Sequence, residues 1–288
     1  MKNKKIAVFI CCNKEYHKYA ITTLLSYKRF RPEWDYFIIS ETKCEQAKYY
    51  DVKSIVKNFS HLWNDSGCKR NDIELDDFLH CWWHLSTQQF FKDMEYDLSL
   101  TVDADTFCIE DPYPNFEHFD WAMAAVRNSG ANKKIPQELQ NIKELTLTTE
   151  AYHYAHLHSA VVWYNHSFVG KEFTNECIKR YNSLKTKITL KGDQHLLMIF
   201  IPNFLNKYPF YLLDPKFNFF FKCSDVPECV RIFNIDVAPL PVSIVHFQGI
   251  NCNPWNKVGL ETTGIKKYYI QEWRDFYRSV WNSECPIR

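Results

Sequence analysis

The 288-residue sequence predicts an α/β fold that is Rossmann-like, with helices flanking a mixed but mainly parallel sheet. One observation is that short apolar runs alternate with longer segments of helical periodicity from the amino terminus onwards, which is the pattern of βαβ units. A second is that one apolar run in the middle of the chain ends in two closely spaced aspartates. Open α/β sheets place their ligands at such carboxyl ends of strands.

The first half of the chain alternates strands and helices. Residues 5–12 are apolar after a basic start, which predicts a buried first strand. Residues 19–30 repeat apolar side chains at helical spacing and end before Pro32, which predicts a helix. The further elements predicted in this half are a strand at 36–40, a helix at 42–50, a strand at 52–56, a long helix at 72–91 and a strand that ends at residue 102.

The second half is less regular. Residues 127–150 are polar and predict a loop or a short helix, the one candidate hinge or lid. The elements predicted around this loop are strands at 119–126, 156–164 and 242–247, and helices at 168–184, 195–204 and 266–281. No change of composition marks a domain boundary, so one domain over 1–288 is expected.

Composition excludes several classes of function. Lys and Arg total 35 and Asp and Glu total 34, so no net charge favours binding to nucleic acid. Only 7 glycines are present and no Gly-x-Gly-x-x-Gly occurs, which argues against a dinucleotide-binding enzyme. The 11 cysteines contain no Cys-x-x-Cys, and the first apolar run is too short for a signal peptide. We therefore expect a cytoplasmic protein with reduced thiols and no membrane span.

Asp103 and Asp105 follow the apolar run that ends at residue 102. Alternate residues of an extended chain point to the same side, so both carboxylates share one side and suit Mg²⁺ or Mn²⁺. Alternatively, they are only caps of a polar turn. Phosphatases of the haloacid dehalogenase class also carry Asp-x-Asp, but they need a Thr or Val where this sequence has Phe107, so this interpretation is set aside.

Three motifs now stand in order along the chain. They are Asp103-Ala104-Asp105, Gly192-Asp193-Gln194, and His246-Phe247-Gln248-Gly249 leading to Asn253-Pro254-Trp255. In type, order and approximate spacing the sequence resembles glycosyltransferase family 8, which includes glycogenin and the bacterial lipopolysaccharide galactosyltransferases and has the GT-A fold. The resemblance covers nearly the whole chain. It implies a donor-binding half at about 1–126, an acceptor half at about 151–260 and a carboxyl-terminal helix at about 264–283.

The resemblance also implies a metal site. Asp103, Asp105 and His246 would bind Mn²⁺ or Mg²⁺, and imidazole among the ligands favours Mn²⁺. Ala104 and Gly249 belong to the same two motifs and would contact the nucleotide sugar. Lys257 is a candidate for neutralising the diphosphate, as is a basic residue of the loop at 127–134.

Further residues carry over by their motif positions. Asn13 and Tyr16 stand where the family stacks a tyrosine on uracil. His158 and Ser159 match the motif that contacts the donor sugar. Asp193 and Gln194 match the pair near the anomeric carbon, where the carboxylate acts either as nucleophile or as support for the oxocarbenium-like charge. Alternatively, Asp193 is only a helix cap, and Tyr16 only packs on the surface.

The sequence departs from the family in several ways. One extra residue lies between Gly249 and Pro254, and no clear Lys or Arg stands at the helix position before the strand that ends at residue 102. Asn253 stands where the family has a lysine that binds the diphosphate, His158 replaces an asparagine, and Ala160 replaces a glycine. The expected function is metal-dependent transfer of a hexose from a UDP-sugar to a glycan or glycolipid acceptor, with retention. The alternatives are a non-catalytic nucleotide-sugar or glycan-binding protein, and an inverting transferase.

Two other features have alternative interpretations. His153, His156 and His158 lie close in sequence, and His156 and His158 would share one face of a strand. No further ligand at suitable spacing completes a zinc site with these two, so core or substrate-facing histidines are favoured. The aromatic segment at 266–281 either packs on the domain or lies at a membrane surface, and its acidic residues favour packing. Oligomeric state is left open.

Overall fold

The computed structural model describes residues 4–54, 83–127, 157–184, 207–220, 242–247, 253–256 and 264–287. The predicted helix at 195–204 therefore lies outside the described residues, and the predicted loop at 127–150 lies outside them except for residue 127. The first half of the predicted helix at 72–91 also lies outside them.

In these ranges the chain forms ten strands and four helices, with short 3₁₀ turns at Lys14–Tyr16 and Pro215–Asn218. The elements are β1 (Ile6–Cys11), α1 (His17–Lys28), β2 (Asp35–Ser40), β3 (Lys48–Asp51), α2 (Trp83–Asp93), β4 (Leu98–Val102), β5 (Thr106–Cys108), β6 (Met123–Arg127), β7 (Leu157–Asn165), α3 (Lys171–Leu184), β8 (Phe210–Leu213), β9 (Phe219–Phe220), β10 (Ile244–His246) and α4 (Gly264–Trp281).

Seven of these strands form the main sheet, in the order β3-β2-β1-β4-β7-β6-β8. Strands β1 to β4 are mutually parallel, and β7 is antiparallel to both of its neighbours. The chain runs outward from β1 to β3 and then returns to place β4 on the other side of β1. The strand order therefore reverses between β1 and β4, and in open α/β sheets this reversal leaves a crevice for ligands at the carboxyl ends of the strands.

A second, three-stranded sheet has the order β5-β10-β9. Strand β10 is antiparallel to β5, with His246 opposite Thr106, and parallel to β9. Because β5 begins one residue after Asp105, this small sheet brings a segment from late in the chain to the carboxyl end of β4.

The aromatic face of α4 is buried. Trp273 and Tyr277 are 0% and 1% exposed, and Trp273 is within ring contact of Tyr19 on α1. Tyr19 in turn stacks on Trp255 at a centroid distance of 4.0 Å. The rings therefore pack inside the protein, which is the arrangement favoured for this segment. Among the described helices, none combines the length and apolar composition needed to cross a bilayer.

Two predicted elements are wrong. Residues 42–50 do not form a helix, because residues 48–51 pair in parallel with β2 as strand β3. Tyr50 stacks on Phe37 of β2 at 5.8 Å, and this packing on an open sheet edge outweighs the helix-forming residues before it. The strand predicted at 52–56 is also displaced, since residues 52–54 are helical. Strands β5 and β8 were not predicted because runs of three and four residues carry too little pattern.

Candidate metal centre

Three side chains from distant parts of the sequence meet at the carboxyl end of β4. Asp103, Asp105 and His246 each offer one ligand atom, and these atoms lie within 4.8 Å of one another. His246 Nε2 is 3.3 Å from Asp105 Oδ1. The histidine is buried and the two aspartates are partly buried, so this is not a loose cluster of surface acids.

Backbone pairing fixes the segment at 103–106, called here the aspartate turn. Asp103 N–H donates to Ala160 O of β7 at 2.9 Å, directly after the β4–β7 ladder ends. Phe247 N–H donates to Asp105 O at 2.9 Å, which continues the β5–β10 ladder. The two sheets therefore set the separation between the aspartates and His246.

Helix α1 also holds the aspartate turn. The hydroxyl of Thr23 lies 2.8 Å from Ala104 O and 2.8 Å from Thr106 O. Sequence reasoning used only the apolar residues of this helix and missed this contact. Nothing in the local sequence signals it, because the partners lie about eighty residues away.

His158 and Ser159, at the start of β7, lie at the same end of the sheet. The rings of His158 and His246 are 4.8 Å apart between centroids and nearly perpendicular, at 83°. His158 Nδ1 accepts a long hydrogen bond from Ala160 N–H at 3.4 Å. His158 and Ser159 are buried, at 4% and 6% exposure. The structure therefore brings His158 close to His246, one of the three candidate metal ligands, although the chain separates the two histidines.

Asn13 and Tyr16 follow β1, whose register with β4 pairs Phe9 with Thr101. Asn13 therefore lies at the carboxyl ends of the parallel strands, as Asp103 does. Its Oδ1 accepts hydrogen bonds from Glu15 N–H and Tyr16 N–H at 3.1 and 3.2 Å, so the side chain caps the 3₁₀ turn.

Tyr16 is partly buried, and its ring meets the edge of Trp255 at a centroid distance of 6.1 Å. Trp255 belongs to the last of the three motifs, in the described segment 253–256. Arg274 of α4 donates to Pro254 O at 3.0 Å, and Asn253 is buried at 6% exposure. The first turn of the chain and its last motif are therefore packed together.

Four predicted site residues lie outside the described residues: Asp193, Gln194, Gly249 and Lys257. Their proposed roles stay predictions.

Two other ionisable groups near the carboxyl ends of these strands, Cys12 and His17, are held neutral. Burial raises the pKa of the Cys12 thiol to about 12, with Cys44 adding to the rise and a hydrogen bond to Ser40 opposing it. A protonated thiol is neither a nucleophile nor a good metal ligand. Burial lowers the pKa of His17 below its usual value, so this imidazole is neutral near pH 7.

The donor set fits a divalent cation. Two ligands bound opposite each other at about 2.1 Å from one ion are separated by about 4.2 Å, comparable to the spacing of these three groups. Carboxylate oxygens suit Mg²⁺ and Mn²⁺, and the imidazole favours Mn²⁺. The second ring nitrogen of His246, Nδ1, is buried and has no hydrogen-bond partner among the described residues.

No protein-family model matches the sequence, and comparison with curated proteins gives no significant match. Solved structures do match. The galactosyltransferase LgtC, in complex with donor and acceptor sugar analogues, aligns over 95% of both chains at 16% identity with a TM-score of 0.55. The glycosyltransferase GlyE of Streptococcus pneumoniae aligns over 99% of this chain at 17% identity with a TM-score of 0.58. The bifunctional glycosyltransferase WbbM aligns over 96% at 14% identity with a TM-score of 0.59.

The chain spans about two thirds of GlyE, at 66%, and half of WbbM, at 50%. At these identities the similarity concerns the fold, which is the GT-A fold of glycosyltransferases. The predicted α/β class, with its mainly parallel sheet flanked by helices, is confirmed.

Proposed function

We propose that the chain is a metal-dependent glycosyltransferase that moves a hexose from a UDP-sugar to a glycan or glycolipid acceptor. One observation carries the proposal. Asp103, Asp105 and His246 converge at the carboxyl end of β4, next to the point between β1 and β4 where the strand order reverses in this GT-A fold. The similar structures include a galactosyltransferase with donor and acceptor sugar analogues, which supports this class of substrate. We further propose that residues 1–288 form a single domain.

In this proposal Asp103, Asp105 and His246 hold Mn²⁺, or Mg²⁺, against the diphosphate. The bound ion supplies Lewis-acid stabilisation of the charge that grows on the departing diphosphate. The burial of His246 and the partial burial of the two aspartates exclude part of the bulk water, and this strengthens their attraction for a cation.

The donor would lie along the edge from β1 to β7. Tyr16 offers a ring face to the uracil beside the turn that Asn13 caps. His158 and Ser159, next to His246, are placed to contact the sugar. Ala104 and Gly249 complete the contacts with the donor, and Lys257 is the proposed cation for the diphosphate. Because His158 is larger than the asparagine of the family, the sugar it selects differs in shape or polarity at this position.

Asp193 and Gln194 are the proposed catalytic pair. The bond from the anomeric carbon to the diphosphate breaks, a bond to an acceptor hydroxyl oxygen forms, and the hydroxyl proton passes to the departing diphosphate. The Asp193 carboxylate would either form a glycosyl ester that the acceptor hydroxyl then displaces, or stabilise the positive anomeric carbon while the acceptor attacks from the face that the diphosphate leaves. Either course gives net retention of configuration. A cytoplasmic location agrees with the unbridged cysteines of the described residues. Attachment to a membrane surface through the acceptor is compatible with the proposal.

The experiment combines binding and turnover. Nucleoside diphosphate sugars are screened by thermal shift with and without Mn²⁺, because a ligand of the folded state raises its melting temperature. The best donor is then assayed for nucleotide release with glycan and glycolipid acceptors. The Asp105→Ala variant should lose Mn²⁺-dependent release by at least about a hundredfold, since ligand loss exceeds the effect of outer-shell changes.

Asp97→Ala, at the other end of β4, is the control and should keep most of the turnover. Undiminished turnover in Asp105→Ala would exclude the metal assignment.

A second candidate is a non-catalytic protein of the same fold that binds nucleotide sugars or glycans. Asn253, buried where the family has a cationic lysine, favours it, together with His158 and Ala160. This candidate predicts UDP binding by calorimetry with no transfer or hydrolysis of any donor. If transfer occurs, NMR of the product anomer separates the retaining reaction from an inverting one that uses Asp193 as general base.

A further inference from the structure

One face of α1 is polar although it is completely buried. Thr23, Ser26 and Tyr27 stand at positions i, i+3 and i+4, so they share a face of the helix. Each is 0% exposed. Buried hydroxyl groups need hydrogen-bond partners, and these three have partners in the segment at 104–108. Cys108 N–H donates to Ser26 Oγ at 3.0 Å, and Tyr27 Oη donates to Thr106 Oγ1 at 3.3 Å.

Thr23 is the member of this row that contacts the aspartate turn itself. Its Oγ1 lies 2.8 Å from Ala104 O and 2.8 Å from Thr106 O, the carbonyls on either side of Asp105. A threonine hydroxyl has one proton, so the two carbonyls share it. The bond therefore restrains the backbone on both sides of Asp105, and this sets the direction in which its carboxylate leaves the chain.

The remaining bonds of the turn come from the turn itself and from the two sheets, where Asp103 N–H donates to Ala160 O. Thr106 Oγ1 donates to Asp103 O at 2.9 Å, and Phe247 N–H donates to Asp105 O. The sheets thus fix Asp103 and His246, whereas α1 fixes the two carbonyls next to Asp105. The Thr23 bonds link the helix that follows the Asn13–Tyr16 turn to the proposed metal ligands.

We infer that Thr23 is a positioning residue for the metal site, acting through the backbone to hold the Asp105 carboxylate in register with Asp103 and His246. The inference rests on the proposed function, because it assumes that these three residues bind a cation. Loss of the hydroxyl leaves the carbonyl of the buried Thr106 and that of the partly buried Ala104 without this donor, which favours a shift of the turn. Outer-shell groups of this kind change metal affinity by about 10-fold to 100-fold.

The chain supplies a matched control on the same helix. Thr22 is adjacent, has the same side chain and is also 0% exposed. Its Oγ1 donates to Lys18 O at 2.8 Å and accepts from Trp281 Nε1 at 3.0 Å, away from the aspartate turn. A valine at either position removes a buried hydroxyl with little change of shape, but only Thr23→Val removes the bonds that flank Asp105.

The test measures Mn²⁺ binding to the full chain by electron paramagnetic resonance titration, together with thermal unfolding in the absence of metal. We expect Thr23→Val to raise the Mn²⁺ dissociation constant by at least about tenfold. Thr23→Ser, which keeps the hydroxyl, should restore the wild-type affinity. Thr22→Val should keep that affinity while lowering the melting temperature as Thr23→Val does. Thr23→Ala is used with the same threshold if the valine variant does not fold.

Wild-type affinity in Thr23→Val would overturn the inference and leave the proposed metal site standing. Equal weakening in Thr22→Val would overturn it as well, because the loss would then follow general destabilisation of α1. Absence of Mn²⁺ binding in the wild-type chain would overturn the metal site itself and this inference with it.

Discussion

The two ends of the β4–β7 strand pair carry the same residue types in different arrangements. These strands are antiparallel, with Leu98 opposite Asn165 at one end and Val102 opposite Val161 at the other. Each end has an aspartate immediately beyond β4 and a buried histidine from the other strand. Asp97 and His166 lie at the amino end of β4, and Asp103 and His158 lie at its carboxyl end.

At the amino end, the Asp97 side chain bonds to the protein. Asp97 Oδ2 accepts from Lys5 N–H at 2.8 Å, and Asp97 Oδ1 is 3.6 Å from Lys4 Nζ. His166 N–H donates to Asp97 O at 3.0 Å. At the carboxyl end, by contrast, ligand atoms from three side chains gather within 4.8 Å of one another. Acidic residues at a strand end are therefore informative about function only when their side chains converge with further ligands instead of meeting basic residues.

The largest effect expected from this comparison is on metal affinity. His246→Ala removes a proposed ligand and should raise the Mn²⁺ dissociation constant by more than about a hundredfold, beyond the range of outer-shell changes. His166→Ala removes a histidine of similar burial, 5% against 4%, at the other end of the sheet. Titration of both variants with Mn²⁺ measures the difference.

His166→Ala should keep the wild-type affinity although it loses stability. If both variants lose affinity equally, the two ends do not differ in the way described, and the metal assignment of His246 is wrong.

The next effect is on stability at acidic pH and belongs to the amino end. The pKa of His166 is lowered to about 4, mainly by burial and to a smaller degree by the charge of Lys92, while contact with the Val169 backbone and the charge of Asp97 oppose the shift. In the unfolded chain the pKa of a histidine is about 6.5. Between these values only the unfolded state binds the proton, so stability falls as pH falls from about 6.5 towards 4.

The free energy of unfolding should therefore decrease by about 2 kcal/mol between pH 7 and pH 5 through this group alone, because 1.5 pKa units at about 1.36 kcal/mol each separate pH 5 from the unfolded value. Urea unfolding of metal-free protein at the two pH values measures it. His166→Gln cannot be charged and should show a smaller decrease. Other groups, including His17, titrate equally in both proteins and cancel in the difference. An identical decrease in both would contradict the assignment to His166.

Sequence patterns predicted the parts of the fold that have long apolar runs or a sustained helical periodicity. Strands β1, β2, β4 and β7 and helices α1 and α4 were expected where they occur, because at least five consecutive buried positions mark each strand and a sustained helical stripe marks each helix. Residues 42–50 failed because helix-forming residues there compete with pairing to an open edge of β2, and that competition is decided by tertiary contacts.

The candidate site was predictable to a similar degree. The resemblance to family 8 predicts that Asp103, Asp105 and His246 lie together, and their side chains do meet in the structure. The contact between Thr23 and the aspartate turn was not predictable, because a threonine in a helix does not reveal which carbonyls lie opposite it. The neighbourhood of His158 and His246 likewise depends on two sheets that meet only in three dimensions.

The smallest expected effect comes from the ion pair at the amino end. Lys4 and Asp97 are 31% and 43% exposed and 3.6 Å apart, and Lys4 Nζ also lies 5.0 Å from the centre of the Phe119 ring. Exposed pairs of this kind contribute less than about 1 kcal/mol, since water and salt replace the lost partner. Lys4→Ala should therefore lower the free energy of unfolding by less than that amount, measured by urea unfolding, and should not change Mn²⁺ affinity. A loss of Mn²⁺ affinity in Lys4→Ala would show that the two ends of the strand pair are coupled, because the contacts of this lysine with described residues lie at the amino end. Water can compensate for the lost partner at an exposed aspartate such as Asp97, whereas Asp105 beside the buried His246 is less exposed. This difference in solvation supports the proposal that a cation binds at the carboxyl end.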